Sequence, residues 1–300
     1  MRPRITVVGG ANLDIVGIPT GRFARRDSNP GHVRSSPGGV ARNIAENLAR
    51  LGAEVRLVTA FGEDDVTEWL MAECVAAGID TSFSVRAHGV PGSRYLAVLD
   101  GSGDLAAAVN DMRALDALTP DSLDPAAFAG ADAVVVDTNM HGSTVAHVAE
   151  LAGRAPLLLD PVSTAKAMAA QPILGRLSVL KANLREAEEL SGAAGPDGAA
   201  SRLLEAGIRY VVITMGPAGV LCASREETFR LPAPRADVVN VTGAGDAFTA
   251  GAAWGLALGM PFRQIAEWAS ALSAITLECE RTVCETITAD AVRARMEASR

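Results

Sequence analysis

The sequence predicts an α/β fold with a mostly parallel sheet, helices on both faces of that sheet and a small β lid. From residue 131 onward, short apolar stretches alternate regularly with helical patterns, which is typical of a parallel sheet covered on both sides. Residues 15–36 and 83–109 break this alternation, and we expect these two insertions to pair as the lid. The chain has 300 residues, of which 49% are hydrophobic and 21% charged, so we expect one domain over residues 1–300.

Charge and composition argue against several classes of protein. The net charge of −8 argues against a nucleic-acid-binding protein and against one that binds anionic membranes. No basic start precedes a long apolar run, so neither a signal peptide nor a membrane span is expected, and we predict a cytoplasmic protein. The absence of paired CxxC spacing predicts reduced thiols and no zinc site at Cys74, Cys222, Cys279 and Cys284.

In the first half of the chain, short apolar runs predict strands, and apolar residues that recur on one face predict helices. The clearest helix opens after Pro37-Gly38-Gly39, because Ile44, Leu48 and Leu51 share one face and Gly52 follows as a terminator. The predicted elements are strand Ile5–Gly9, helix Val40–Leu51, strand Val55–Phe61, helix Val66–Ala77 and strands Phe83–Val85, Arg94–Leu99 and Leu105–Val109.

In the second half, apolar strands alternate with helices, which places polar residues at the carboxyl ends of the strands. The predicted elements are strand Ala133–Asp137, helix Ser143–Ala152, strands Pro156–Asp160 and Leu177–Lys181, helices Asn183–Leu190 and Ala199–Ala206, strands Tyr210–Thr214 and Val220–Ala223, and helix Pro261–Leu277. The polar and glycine positions just after predicted strands, which we expect to converge on one crevice, are Asn12, Asp14, Asn139, Lys166, Asn183, Glu186, Thr214 and Gly216.

The stretch Asn240–Asp246, with the sequence Asn-Val-Thr-Gly-Ala-Gly-Asp, directly precedes an apolar helix. The small residues Gly243, Ala244 and Gly245 permit a sharp turn, after which N–H groups point to one spot at the positive end of the helix dipole. This pattern predicts an anion hole with Asp246 at its rim, ionised with an ordinary carboxyl pKa of about 3.9 and able to accept a proton from an alcohol. Such a pair suits phosphoryl transfer to a hydroxyl. The alternative interpretation is a glycine-rich helix start with a capping Asp.

Three further patterns offer ligand-binding groups, each with an ordinary structural alternative. Asn12 and Asp14 flank a leucine, so their side chains face one side of an extended chain and suit vicinal sugar hydroxyls, or they form an Asx turn. Asn183 and Glu186 share a helix face, where Glu186 can hold Mg²⁺ through water or simply complete an N-terminal cap. Lys166, one of two lysines in the chain, can donate to a substrate or lie solvated at the surface.

Two glycine-rich turns also bear on nucleotide binding. The turn Thr214–Gly219 follows a strong strand and can pass beneath the phosphates and ribose of a nucleotide, or it can simply join two strands. The turn at Gly9-Gly10 follows the first strand but lacks the G-x-G-x-x-G spacing, which weakens the case for a nicotinamide-dependent dehydrogenase.

In combination, these motifs resemble the PfkB, or ribokinase-like, family of sugar kinases. The resemblance covers essentially the whole chain in the right order, and it rests on Gly38-Gly39 with Asn43, Asn183 with Glu186, Gly216 to Gly219, and Thr242-Gly243-Ala244-Gly245-Asp246. The stretches that look like the pseudouridine kinase branch of this family are 27–31, 37–48, 110–112, 160–163 with Lys166, and 240–242. The resemblance implies a ribokinase-like three-layer α/β/α sandwich. It also implies transfer of a phosphoryl group from Mg·ATP to the 5′-hydroxyl of pseudouridine.

The resemblance implies a role for each candidate residue. Asp246 would be the catalytic base, and the anion hole would be formed by the amides of Gly243, Ala244, Gly245 and Asp246. ATP would be bound by Asn183, Thr214, Gly216, Gly219, Thr242, Gly243 and Gly245, with Glu186 holding Mg²⁺ through water. The nucleoside would be bound by Asn12, Asp14, Gly38, Gly39, Asn43 and Asn139, with Ser28, Asn29 and Lys166 as candidates for contact with the nucleobase.

One departure from the family concerns a monovalent cation. The family usually has Asp-Thr where this chain has Asn240-Val241, and in many members that Asp helps to bind an activating cation. The loss of its charge argues against K⁺ activation here. The resemblance also suggests a homodimer formed through the lid sheets.

Two other functions are open at this point. One is a ribokinase-like kinase for ribose or for another nucleoside. The other is a non-catalytic nucleotide sensor on the same fold, against which the retention of Gly243, Gly245 and Asp246 argues.

Overall fold

The computed structural model describes residues 2–298, which form one large sheet, a separate four-stranded sheet and a pair of two-residue strands. The strands are β1 (Arg4–Val8), β2 (Asn12–Pro19), β3 (Gly31–Gly38), β4 (Glu54–Val58), β5 (Ala60–Phe61), β6 (Ile79–Asp80), β7 (Val85–Arg86), β8 (Arg94–Leu99), β9 (Leu105–Asp111), β10 (Ala133–Asp137), β11 (Leu157–Asp160), β12 (Val179–Asn183), β13 (Tyr210–Thr214), β14 (Val220–Ala223) and β15 (Thr228–Leu231). The α-helices are α1 (Val40–Arg50), α2 (Asp65–Ala76), α3 (Gly142–Leu151), α4 (Thr164–Ala167), α5 (Leu184–Ser191), α6 (Pro196–Glu205), α7 (Ala244–Ala257), α8 (Phe262–Leu277) and α9 (Ala289–Ala298).

The large sheet confirms the predicted mostly parallel α/β fold. Its strand order is β15-β14-β13-β12-β11-β10-β1-β4-β6. In this order, neighbouring strands pair in parallel along β6, β4, β1, β10, β11, β12 and β13, whereas β14 and β15 form an antiparallel edge. Since the parallel strands all end at one edge, the polar residues that follow them lie along that edge.

Alternate residues of the central strands pack into two separate cores. On β10, Val135 faces a core that includes side chains of α1, α2, α7, α8 and α9. Val134 and Val136 face the other side, where α3, α4, α5 and α6 pack. All three valines are fully buried. This period-two alternation explains why the strand is an uninterrupted apolar run, and it gives the three-layer arrangement.

The four-stranded sheet is the one expected to form the lid, and its strand order is β3-β2-β8-β9. Strand β2 pairs antiparallel with β3 and parallel with β8, so the two insertions join as one sheet. The prediction that Phe83–Val85 belongs to this sheet is wrong. Val85–Arg86 pairs instead with Ala60–Phe61, because the Val85 N–H donates to the Thr59 carbonyl and so occupies that stretch of backbone. The predicted strand Val55–Phe61 is accordingly divided at Thr59.

The prediction that all four cysteines are reduced thiols is also wrong. Cys279 and Cys284 form a disulfide, because the loop after α8 turns back and brings their Cα atoms to 5.7 Å from one another. Cys74 and Cys222 are buried free thiols. Between residues 2 and 298, no helix combines the length and the apolar character that crossing a membrane requires.

Candidate active site

Helix α7 begins beside the carboxyl ends of β10 and β11, and its first turn is the predicted anion hole. The N-cap residue Gly243 has a φ of 85°, in the left-handed region that favours glycine. A Cβ at this position would lie 2.1 Å from the carbonyl oxygen of Thr282, so a larger residue would also collide with the neighbouring loop. No side chain of the described residues caps this turn. Apart from the Ala244 N–H, which donates to the Val241 carbonyl at 3.4 Å, the first N–H groups of α7 can therefore bind an anion.

Asp246 lies in that first turn and is half-buried. The Asn43 Nδ2 atom donates a hydrogen bond of 2.8 Å to Asp246 Oδ2. Burial raises the pKa of the Asp246 carboxyl to about 7. The carboxylates of Asp160 and Asp137 add to this rise in pKa, whereas the Asn43 amide and the Lys181 ammonium oppose it. The expectation of an ordinary carboxyl pKa is therefore wrong, because it took no account of burial or of acids brought in from other strands.

A second polar group lies on β2 and at the start of α1. Asn12 Nδ2 donates to Asp14 Oδ1 at 2.6 Å, which places both side chains on one side of the strand. A Cβ on Gly38 would lie 2.1 Å from Asp14 Oδ2, and one on Gly39 would lie 2.4 Å from a backbone oxygen of the loop after β1. The two glycines therefore let β3 and α1 approach this group closely. Burial raises the pKa of Asp14, although the Asn12 amide and the Arg42 guanidinium oppose the rise.

Asp137, the last residue of β10, connects this polar group to the sheet. Its Oδ2 accepts hydrogen bonds from the N–H of Gly10 (2.9 Å), from the N–H of Ala41 (3.1 Å) and from Asn139 Nδ2 (3.0 Å). Burial raises the pKa of Asp137; the hydrogen bonds from Gly10 and Asn139 oppose the rise, and the charge of Asp160 adds to it. Lys166 Nζ in turn donates to Asn139 Oδ1 at 2.5 Å. The structure thus brings Asn139 and Lys166 into one network with the start of α1.

Asp160 and Lys181 lie beneath the first turn of α7, and the sequence reasoning assigned no role to either. Lys181 Nζ donates to Asp160 Oδ2 at 3.0 Å, and Thr249 Oγ1 donates to the same oxygen at 2.8 Å. Burial alone lowers the pKa of Lys181, but the negative charges of Asp160, Asp246 and Glu186 outweigh it and the pKa is raised. A signal was present in the sequence, since an Asp ends one apolar strand and a Lys interrupts the next.

Asn183 and Glu186 form the capping box of α5, which is the ordinary structural alternative for this pair. The Glu186 N–H donates to Asn183 Oδ1 at 3.0 Å, and Glu186 Oε2 accepts from the Asn183 N–H at 2.9 Å. Burial raises the pKa of Glu186; the hydrogen bond from the Asn183 N–H opposes the rise, and the charge of Asp160 adds to it. Among residues 2–298, no group of three or more His, Cys, Asp or Glu could hold a metal ion.

Most of the remaining predicted nucleotide ligands lie next to Asn183. Thr214 is the register partner of Asn183 across β12 and β13. A 3-10 turn over Gly216–Ala218 follows and leads through Gly219 into β14. This segment therefore joins two strands, which is the structural alternative to a role in nucleotide binding. Gly216 is exposed, whereas a Cβ on Gly219 would lie 2.2 Å from the Leu231 carbonyl oxygen.

Three predicted ligands are engaged in turns of their own. The Thr242 N–H donates to Asn240 Oδ1 at 2.9 Å. Asn29 bonds through its side chain to both backbone groups of Ala24, and Ser28 is exposed beside it. Ser28 and Asn29 lie between β2 and β3, and the structure does not join them to the other candidate residues by a hydrogen bond.

Hydrogen bonds, together with the first turn of α1, therefore connect Asn139 and Asn43, two of the predicted sugar ligands, to the predicted anion hole. They run from Lys166 through Asn139 and Asp137 to the start of α1, and from Asn43 on α1 to Asp246. The Asp246 carboxyl, whose pKa is near neutrality, the uncapped first turn of α7 and a cluster of amides and carboxylates lie together at one edge of the sheet. This arrangement can orient a polyhydroxyl substrate and accept a proton from it beside an anion.

Comparisons with known proteins agree with this chemistry. The sequence profile of the pfkB family carbohydrate kinases matches residues 2–287. A pseudouridine kinase of Escherichia coli (strain K12) is 34% identical over 286 residues, which cover 93% of this chain and 91% of that protein. The structure of a carbohydrate kinase from Agrobacterium tumefaciens matches with a TM-score of 0.87 and 29% identity, covering 98% of this chain and 97% of that one. The fold is also that of an Arabidopsis thaliana ribokinase complexed with ribose and ATP, at a TM-score of 0.86, 20% identity and 99% coverage of both chains. This chain belongs to the pfkB family of carbohydrate kinases.

Proposed function

We propose that this protein phosphorylates the 5′-hydroxyl of pseudouridine with ATP. Membership of the family makes phosphoryl transfer to an alcohol the class of reaction, and the 34% identity to a pseudouridine kinase supports the choice of nucleoside. The observation that carries the proposal is the hydrogen bond of 2.8 Å from Asn43 to Asp246. This bond places Asp246, the proposed base, next to Asn43, a proposed ligand of the sugar. A substrate hydroxyl bound near Asn43 can therefore also contact the Asp246 carboxylate.

Asp246 accepts the proton of the 5′-hydroxyl as that oxygen attacks the γ-phosphoryl group in line. Asn43 holds Oδ2, and no described residue donates to Oδ1, which can therefore face the substrate. A pKa of about 7 keeps a substantial fraction of the carboxyl ionised at neutral pH and makes it a stronger base than an ordinary carboxylate.

The start of α7 stabilises the negative charge on the transferring group. The N–H groups from Gly243 to Asp246 lie at the positive end of the helix dipole and are uncapped by any described side chain. Mg²⁺, when bound to ATP, neutralises charge on the phosphates. Glu186 would hold that ion through water, since magnesium takes few direct protein carboxylates and the Glu186 carboxylate already accepts the hydrogen bond of the capping box.

The nucleoside lies between the lid and the start of α1. Asn12, Asp14 and Asn43 offer the amide and carboxylate groups that vicinal hydroxyls require, and Gly39 lets the backbone approach. The Asn139–Lys166 pair offers a donor and an acceptor for the uracil edge. Closure of the lid would exclude water from the phosphoryl group.

Two further properties follow from surfaces outside this pocket. Asn240 Nδ2 donates to the Glu280 carbonyl at 3.0 Å, so this position presents an amide donor rather than a carboxylate, and K⁺ activation is not expected.

The lid exposes apolar side chains, with Val33 at 73% and Val109 at 66%, which supports a homodimer through the lid sheets. Sedimentation equilibrium tests the dimer, and a monomer at all concentrations would contradict it.

A substrate panel with ATP tests the proposal. Pseudouridine, uridine, other nucleosides and ribose are compared by kcat/KM, and pseudouridine is expected to give the highest value. If ribose or another nucleoside gave the highest value, the proposed substrate would be wrong, and the reaction would still be phosphoryl transfer to an alcohol. ATP binding without turnover of any substrate would favour a nucleotide sensor.

The Asp246→Asn variant tests the base assignment. Its kcat is expected to fall by about 10²–10⁴-fold, with nucleoside affinity changed only a few-fold, because the amide keeps the contact with Asn43. Near-normal turnover would refute the assignment.

A further inference from the structure

Three buried polar residues beneath the anion hole are left without a role by the proposed mechanism. Asp160, Lys181 and Thr249 come from β11, β12 and α7, and their exposed fractions are 3%, 7% and 0%. Both Lys181 Nζ and Thr249 Oγ1 donate to Asp160 Oδ2. A buried ion pair seldom stabilises a fold more than apolar residues of the same volume would, so stability alone is a weak reason for this arrangement.

The three residues are packed directly against the first turn of α7. Thr249 Oγ1 also lies 3.1 Å from the Gly245 carbonyl oxygen, so its single proton is shared between this carbonyl and Asp160 Oδ2. A Cβ on Gly245 would lie 2.9 Å from Lys181 Nζ. The ammonium therefore occupies the space beneath Gly245, and the hydroxyl links the carbonyl of that turn to Asp160.

The charges of the three residues also act on Asp246. Asp160 contributes a negative charge and Lys181 a positive one, and they oppose each other at the Asp246 carboxyl. The charged and polar groups that face this carboxyl are Asp137 on β10, Asp160 on β11, Lys181 on β12 and Asn43 on α1. The elements packed against α7 also carry Glu46 paired with Arg42 and Arg50 on α1, and Arg263 and Glu267 on α8.

We propose that Asp160, Lys181 and Thr249 form a positioning triad, which fixes the first turn of α7 and balances the charge beside Asp246. The inference rests on the proposed function in one respect, namely that Asp246 is the base. Removal of the Asp160 charge leaves Lys181 unopposed and lowers the affinity of Asp246 for its proton. Removal of the Lys181 charge leaves Asp160 unopposed and raises that affinity.

The charge balance is tested by the pH dependence of kcat/KM. Asp160→Asn leaves Lys181 unopposed, and the acid limb is expected to move down by about one pH unit. Lys181→Met leaves Asp160 unopposed, and the limb is expected to move up, by less than Asp160→Asn moves it down because Asp160 acts more strongly on Asp246 than Lys181 does. The double variant removes both charges and should place the limb between those of the two single variants, whereas Lys181→Arg, which keeps the charge, should leave it at its wild-type position. Limbs that do not move, or that move in the same direction in both single variants, would overturn the proposal.

The positioning role is tested by Thr249→Val, with Thr276→Val as a matched control. Both threonines are fully buried in helices and lie within hydrogen-bonding distance of the carbonyl four residues earlier, but Thr249 alone of the two reaches Asp160. Thr249→Val is expected to lower kcat by about tenfold, and Thr276→Val to leave it unchanged. Equal losses in both variants would show that the hydroxyl is merely structural.

A direct titration separates failure of this inference from failure of the proposed function. The carboxyl ¹³C resonance of Asp246, assigned by its loss in Asp246→Asn, reports the pKa without any turnover. Opposite shifts of this pKa in Asp160→Asn and Lys181→Met would support the charge balance even if no substrate were phosphorylated. An unchanged pKa in both variants would refute it even if the kinase were active.

Discussion

Asp246→Asn should stabilise the folded protein above neutral pH although it strongly lowers the proposed kinase activity. Burial raises the carboxyl pKa from 3.8 to about 7, so the folded state binds this proton more tightly than the unfolded chain does. The resulting advantage of the folded state is complete below the unfolded pKa and is lost as the pH rises through the folded one. Above neutral pH, folding must therefore keep an ionised carboxylate in a poorly hydrated site.

The size of this penalty follows from the shift in pKa. A rise from 3.8 to about 7 corresponds to about 4 kcal/mol. Because the carboxyl is half-buried and water reaches it, we take about 2 kcal/mol as the net penalty. Asparagine carries no charge and still accepts from Asn43, so it removes the penalty and keeps the contact.

Differential scanning calorimetry at two pH values measures the effect. At about pH 8 the Tm of Asp246→Asn should exceed that of the wild type by about 2–6 °C, and at about pH 4, close to the unfolded pKa of 3.8, this excess should have almost disappeared. Asp116→Asn, which changes an exposed carboxylate, is the control and should show no such pH-dependent difference. A lower Tm of Asp246→Asn at the higher pH, or an equal gain at both values, would refute the reasoning.

Three other predictions concern the same site and the loop beside it. The wild-type kcat/KM should rise with pH and reach half of its plateau near 7, because Asp246 must be ionised to act as a base; a profile that is flat from about pH 5 to 9 would contradict this. Glu186→Gln should raise the Mg²⁺ concentration needed for half-maximal rate, and an unchanged Mg²⁺ titration would count against its role. Replacing Cys279 and Cys284 together by serine should lower stability by about 2 kcal/mol, since a short loop loses its cross-link. A reductant should reproduce this loss of stability in the wild type and have no further effect on the double variant.

The core of the fold could be predicted because its signals are local. The strands Ala133–Asp137, Tyr210–Thr214 and Val220–Ala223 have the predicted bounds, since each is an apolar run between clear turn or helix signals. The edge strand Thr228–Leu231 escaped prediction because Phe229 is its one fully buried side chain. The two-residue strand Val85–Arg86 was misplaced because its partner is fixed by the backbone of a distant segment rather than by its own residues.

The candidate site divides in the same way between local and distant causes. The sharp turn at Gly243 and the capping box of Asn183 with Glu186 depend on neighbouring residues, and the sequence pattern indicates both. The pKa of Asp246 depends instead on burial and on charges that three other strands supply, which no local pattern reveals. The disulfide likewise depends on how the loop after α8 turns back, so cysteine spacing gave the wrong redox state.

The balance of charge around Asp246 has a consequence for how ATP is received. The phosphates bring several negative charges close to a carboxyl that already titrates near neutral pH, and like charge raises a carboxyl pKa further. A base in that position stays ionised only if cations lie close enough to compensate. Lys181 lies beneath Gly245, and the positive end of the α7 dipole lies at the same turn. In the proposed complex, a metal ion that Glu186 would hold through water would add a further positive charge. We therefore expect the positive groups that favour phosphate binding at this turn also to keep Asp246 deprotonated.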